Sequence, residues 1–291
     1  MEKSIVKKRR KLFCEYGPLA YRISIRKEAI LKDIEDYIIK GYKIAKKKSK
    51  DNLPYIWKGD AKILFRKLYG VDMSLQINKA KNLEIAGKKI DGVIIKPGEV
   101  FSLWNLVGST TKRKGYLEGL TISDSSLGKG IGGGLCQLGN LIHYLVLHTD
   151  MEVIEKYHHS DALFPDEKRR VPFGTGTSIA YKRLDYKFKN TTNYPVQLRI
   201  WKDDTMLYGE IRSTQPINYK YRLVEEGHHY ALENGIYYRI SKVYRIKTDK
   251  ETGKEIKKEL ILDNHSRVMY DYSLIPENEI KNDVEEEIKW F

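Results

Sequence analysis

Cysteine is nearly absent from this chain: 2 in 291 residues, Cys14 and Cys136, far apart and in unlike contexts. That excludes a disulfide-stapled scaffold and any four-cysteine zinc site. No Cys-x-x-Cys and no His-x-x-x-His pair is present, so neither a metal nor another cofactor is expected. No window of about 18 consecutive apolar residues occurs, so no spanning helix is expected. The basic start "MEKSIVKKRRKLF" lacks the apolar core of a secretory signal, and the expected location is cytoplasmic. Internal repeats and low-complexity segments are also missing.

What is present is a basic, polar chain with enough apolar content for a core. Net charge is +14, hydrophobic residues make up 41% and charged residues 32%. A basic balance suits an acidic partner, but the lysines are spread and interleaved with acids, as in "KTDKETGKEIKKE". The one dense cluster, "KKRRK" at residues 7 to 11, could touch an anionic membrane surface. No nucleic-acid motif is visible, and the 21 tyrosines suit strand faces rather than a stacking platform.

The pattern predicts an α+β fold in three parts. Residues 1–75 read as helical, with Ile30, Ile34, Ile38, Ile39 and Ile44 as a stripe. A central domain over 76–215 begins with short β-type runs in "NLEIAGKKIDGVIIKPGEVFSL", where Pro97 and Gly98 centre a tight turn. A Gly-rich loop leads into one buried helix. An antiparallel meander follows in "TSIAYKRLDYKFKN", "YPVQLRIW" and "TMLYGEIRS". Residues 216–291 read as a hairpin with "DKETGK" at its turn, then a polar tail. His228 and His229 are expected in a solvated loop.

The chemistry centres on "GIGGGLCQLGN", residues 130 to 140. Leu138, Leu141, Ile142 and Leu145 recur at helical spacing, so that face is buried. Cys136, Asn140 and His143 lie on another. Cys136 then falls in the first turn, where unpaired N–H groups and the helix dipole favour a thiolate. Gly132, Gly133 and Gly134 could admit a substrate backbone or offer N–H groups to an oxyanion. His143 is seven residues on, roughly 10.5 Å along the axis, too far to take the proton. "EKYHHSDALFPD" offers His158 and His159, with Ser160 or Asp161 to orient the imidazole. Equally, a lone cysteine behind a glycine turn is often a small buried apolar residue. Trp104 reads as core; Asn105 and Arg113 are polar neighbours that could line a cleft.

Six segments, "IIKPGEVFSLWNLVG", "KGYLEGLTI", "GIGGGLCQLGNLIHYLVLHT", "EKYHHSDALFPD", "VPFGTGTSIAY" and "LDYKFKNTTNYPVQL", together resemble the VanW family. The family is named for an accessory protein of some vancomycin-resistance operons in Gram-positive bacteria. Exported relatives are linked to peptidoglycan cross-linking as L,D-transpeptidases that use the motif cysteine. The resemblance implies Cys136 as nucleophile on a cell-wall peptide or precursor, and its "HS" pair falls on His159 and Ser160. Gln137 occupies the family's polar position after the cysteine, and Asp185 its "DLKFKN" acid. Where exported relatives carry Gly-Arg-Asp-Ala-Thr, this chain has "GTGTS", with Gly176 at the aspartate position. The rival function is a non-catalytic accessory module that binds a cell-wall peptide or a partner protein.

Overall fold

The computed structural model describes residues 11–65, 72–123, 126–158, 161–163, 165 and 171–281. These fall into two units, divided after Lys43. In the first, helix α1 (Pro18–Ile34) runs into a π-turn over Glu35–Ile39. Ile44, expected at the end of the same stripe, lies beyond the helix, in the second unit, and bridges to Val100.

The second unit holds the core. Strand β1 (Tyr55–Ile63) corrects the expectation of helix through residue 75. It pairs with β10 across a bulge between Ile56 and Lys58 and its burial does not alternate, so no period-2 signal marks it in the sequence. Helix α2 (Met73–Ile90) replaces the expected β-type run. Asp72 caps it by accepting from Ser74 N–H at 2.8 Å, and Leu75, Ala80, Leu83, Ala86 and Ile90 form its buried stripe. Two alanines and Gly87 in that stripe make the period easy to miss.

Strands β2 (Val93–Ile95) and β3 (Val100–Ser102) follow, joined by the expected turn, where Glu99 N–H donates to Lys96 O at 2.9 Å. Next come α3 (Leu103–Val107), the hairpin β4 (Glu118–Ser123) and β5 (Ser126–Ile131), and α4 (Cys136–Val146). Then come β6 (Glu152–Glu155), β7 (Asp161–Ala162), β8 (Lys187–Lys189), β9 (Val196–Lys202) and β10 (Met206–Ser213). Three long strands follow, β11 (Tyr219–Glu233), β12 (Ile236–Asp249) and β13 (Glu255–Val268).

The main sheet has the order β1-β10-β9-β2, all antiparallel. Its inner face packs on α4: a Cβ on Gly209 of β10 would come within 3.2 Å of both Leu141 and Leu145 side chains. The smaller sheet β3-β8-β6 closes the core. So β8 leaves the meander predicted for it, while the β9–β10 hairpin stands. Most of 177–186 is not strand; only an Ala180–Leu184 bridge forms there. The predicted β12–β13 hairpin is present, and β11 adds a third antiparallel strand. His228 and His229 lie in β11, not in a loop.

Asp150, just past α4, ties this last sheet to the core. It accepts from Tyr221 Oη and from Lys247 Nζ (2.5 Å), and Arg245 Nη1 donates to Thr149 O at 3.3 Å. Burial and the Asp150 carboxylate push the Tyr221 hydroxyl pKa up, so it stays a donor. Hydrogen bonds to a charged group contribute about 1.5–3 kcal/mol. Asp150→Ala is therefore expected to speed amide hydrogen exchange in β11 and β12 by that amount of local stability. Amides of α2 and α4 should exchange as before; a uniform loss across both regions would contradict the latch.

Candidate functional site

Cys136 opens α4 as expected, half-buried, with Leu135 at the N-cap and no side chain capping the turn. Burial pushes its thiol pKa up, while the backbone N–H of Ile179 and its own N–H pull it down. Burial is the larger effect, so the resting group is the thiol rather than the thiolate expected from the helix dipole alone. Gln137 Nε2 donates to Ile63 O at 2.9 Å and fastens this first turn to β1.

One turn further on, Asn140 Oδ1 accepts from Thr177 N–H at 2.7 Å. A Cβ built on Gly176 would lie 3.0 Å from that oxygen, and one on Gly139 would lie 3.1 Å from Thr177 Cγ2. The "GTGTS" segment is thus laid along α4, and this delivers the Ile179 N–H to the sulfur. Ser178 N–H in turn donates to Tyr157 O at 2.7 Å. The chain leading into the histidine pair therefore runs beside the strip of backbone that touches Cys136. The cue in the sequence was Asn140, four residues after the cysteine; its backbone partners came from a segment with no pattern of its own.

His158 is partly buried, and a Cβ on Gly174 (φ +73°) would lie 2.9 Å from its Cε1 and 2.5 Å from Leu262 of β13. Asp161 sits in β7 and pairs in parallel with Arg267. His159 and Ser160 lie outside the described residues. His143, grouped by spacing with Cys136, instead turns into the core: it is 2% exposed and its Nδ1 is 3.0 Å from Tyr186 Oη.

The three glycines have a packing role. Gly133 has no positive φ, yet a Cβ there would come 2.2 Å from the backbone carbonyl of Gly119 in β4. On Gly132 (φ +80°) it would meet Thr110, and on Gly134 (φ +89°) Lys79. Gly132 N–H donates to Leu117 O (2.9 Å) and Gly133 N–H to Gly130 O (3.0 Å). Asn82, fully buried, donates to Leu117 O and Gly133 O and accepts from Leu117 N–H. So two of the three expected oxyanion donors are engaged inside the turn.

Trp104 is core, 7% exposed, its indole N–H donating to Leu184 O at 2.8 Å and its ring edge-on to Tyr181. Asn105 and Arg113 are exposed, Arg113 on a separate turn over Lys112–Lys114. Asp185 is structural: it accepts from Ser102 Oγ (2.6 Å), Trp104 N–H (3.0 Å) and Tyr186 N–H (2.8 Å). Burial pushes its pKa up, against the pull of Ser102, Trp104 and Lys187, whose ammonium lies 3.8 Å away and pairs with Glu155 at 2.9 Å. No cluster of three or more metal-ligating side chains occurs among the described residues, and no described helix is long and apolar enough to cross a membrane.

The VanW like protein family matches residues 78–212, from within α2 to within β10. The vancomycin B-type resistance protein VanW of Enterococcus faecalis is 32% identical over 218 residues, which cover 75% of this chain and 79% of that protein. The uncharacterized protein YoaR of Bacillus subtilis is 26% identical over 147 residues, 50% of this chain and 47% of that one. No solved structure matches the chain. With that identity sustained over three quarters of its length, and the Cys136 turn, the 174–180 strip and strands β2 and β9 of the main sheet inside the matched region, the chain belongs to the VanW family.

Proposed function

We propose that this protein acts on the cell wall in the manner of glycopeptide-resistance accessory proteins, as a cysteine-dependent acyl transferase on peptidoglycan stem peptides or their precursors. The observation that carries the reading is the Ile179 N–H directed at the Cys136 sulfur at the start of α4, on a strip bonded to the segment that leads into the histidines. With His158 packed at Gly174, His159 is the residue we assign as base. The Cys136 proton passes to His159 as the Sγ–C bond forms at the substrate carbonyl. The C–N bond then breaks and the leaving amine takes that proton. A second amine attacks the thioester, releases the thiol and forms the new amide. A raised thiol pKa fits a nucleophile generated only on demand, by a base, rather than a standing thiolate.

The same burial favours a second reading, a non-catalytic module in which Cys136 is packing. Alkylation by iodoacetamide at pH 7, in a Cys14→Ser background, separates them. Under the first reading His159→Ala slows Cys136 labelling by about a hundredfold, the scale of general-base assistance. Labelling that is equally slow in both proteins, and appears only on unfolding, would leave the packing reading.

A further inference from the structure

The outer face of the main sheet, opposite α4, carries a second site that the thiol chemistry does not use. Side chains of β9 and β10 alternate, so Arg199 and Trp201 share that face with Tyr208, Glu210 and Arg212. Trp201 is 44% exposed. It lies directly across the strand pair from Tyr208, and the two rings stack at 5.3 Å with 7° between planes. Tyr208 is fixed in turn by donating to Asp203 at 2.7 Å. An exposed indole is thus held in one orientation at low further cost in entropy.

Beside it opens a pocket of about 290 Å³ lined by Asn52, Arg199, Trp201, Glu210 and Arg212. Its far wall is the 49–53 segment, clamped down by Gln197 Nε2 to Asp51 O (2.9 Å) and Arg212 Nε to Leu53 O (2.7 Å). Arg199 is a fixed planar group, bonded to Asp91 (2.8 and 3.2 Å), Lys50 O (3.0 Å) and Asn52 Oδ1. Arg212 pairs with Glu210 at 2.6 Å and keeps its Nη2 without a protein partner among the described residues.

Each guanidinium is balanced by a carboxylate, so the site has no net charge to offer an anion. It offers preset donors and acceptors side by side, next to an aromatic face. Hydroxyl groups both donate and accept, and a sugar ring adds an apolar face of C–H groups that packs on an indole. From the Trp201 row to the Arg199 row is two residues, about 7 Å along the strands, and beyond it the 49–53 segment covers Gln197, so the pocket holds one or two rings of a longer chain. The geometry points to a binding site for a neutral glycan chain on this face. It agrees with the cell-wall reading but does not rest on Cys136.

Isothermal titration with chitotetraose, an uncharged β-linked N-acetylhexosamine oligomer, tests it on the whole chain. Saturable binding is expected, at least about tenfold weaker in Trp201→Ala and intermediate in Trp201→Phe, which keeps a ring and so separates lost stacking from misfolding. Cys136→Ala should bind as wild type, which keeps this test independent of the acyl-transfer reading. No binding by wild type, or binding that Trp201→Ala leaves unchanged, overturns the site. So does Trp201-dependent binding of a stem peptide without the glycan.

Discussion

Acidification below pH 6.5 is expected to cost the protein at least about 3 kcal/mol by pH 4, through two histidines that the fold keeps neutral. His148 is 9% exposed, and burial chiefly, with Lys58 and Arg245 assisting, lowers its pKa to about 4 against the pull of the Tyr144 carbonyl and Asp60. His143 is pushed well below its ordinary value by burial, then by Lys156 and Arg245. In the unfolded chain both take up a proton near pH 6.5. In the native state His148 does so only near pH 4, and His143 lies low as well. Between those limits the unfolded state binds more protons, so stability falls as pH falls. His148 alone accounts for about 3 kcal/mol over that window, and His143 adds in the same direction. Asp185 opposes them, since its raised pKa makes proton uptake favour the folded state. Urea denaturation at pH 7 and about pH 4.5 checks this. His148→Gln should remove close to one proton of uptake on unfolding; an unchanged uptake would refute the assignment.

Both histidines were visible in the sequence, but their role was not. Spacing alone grouped His143 with Cys136, and it took the Tyr186 hydroxyl, 43 residues away, to draw the ring into the core. The same limit runs through the site. The apolar stripe of α4 and the tight turn at Pro97 and Gly98 are local, and they were legible. So was the β12–β13 hairpin, whose two strands and turn lie in one continuous stretch. The strip at 174–180 is not local. Nothing in "GTGTS" announces that Asn140 will hold its backbone, or that Ile179 will meet the sulfur. Helix α2 was hidden by composition: Ala80, Ala86 and Gly87 are small because strands pack close to them, as at Gly87, where a Cβ would meet Ile200 at 3.1 Å. The Trp201 site needed cross-strand register, which brings residues 199, 201, 208, 210 and 212 to one face only once β9 and β10 are paired.

Gly133→Ala should destabilise the protein by about 3 kcal/mol or more, with a melting temperature lower by roughly 6–12 °C. The methyl group would sit 2.2 Å from both the C and O atoms of Gly119, and a Cβ on Gly119 would in turn lie 2.6 Å from Gly133 O. The two backbones are in mutual contact, so no rotamer change relieves the clash. Nor can the hairpin back away freely: Asn82 bonds Leu117 on one side and Gly133 on the other, and Gly119 is in register with Gly130 across β4 and β5. Gly98→Ala is the control. Gly98 has φ +78° and open space around its Cβ position, so it carries only the left-handed penalty, about 1–2 kcal/mol. The glycine run then has a mechanical meaning for the site. It lets the β4–β5 hairpin close onto the turn that starts α4, and this sets where Cys136 lies. Gly133→Ala should accordingly expose the thiol to alkylation more than Gly98→Ala does at equal denaturant. A Gly133→Ala protein as stable as wild type would mean the turn yields easily, and the glycines would then have to be explained by what binds there.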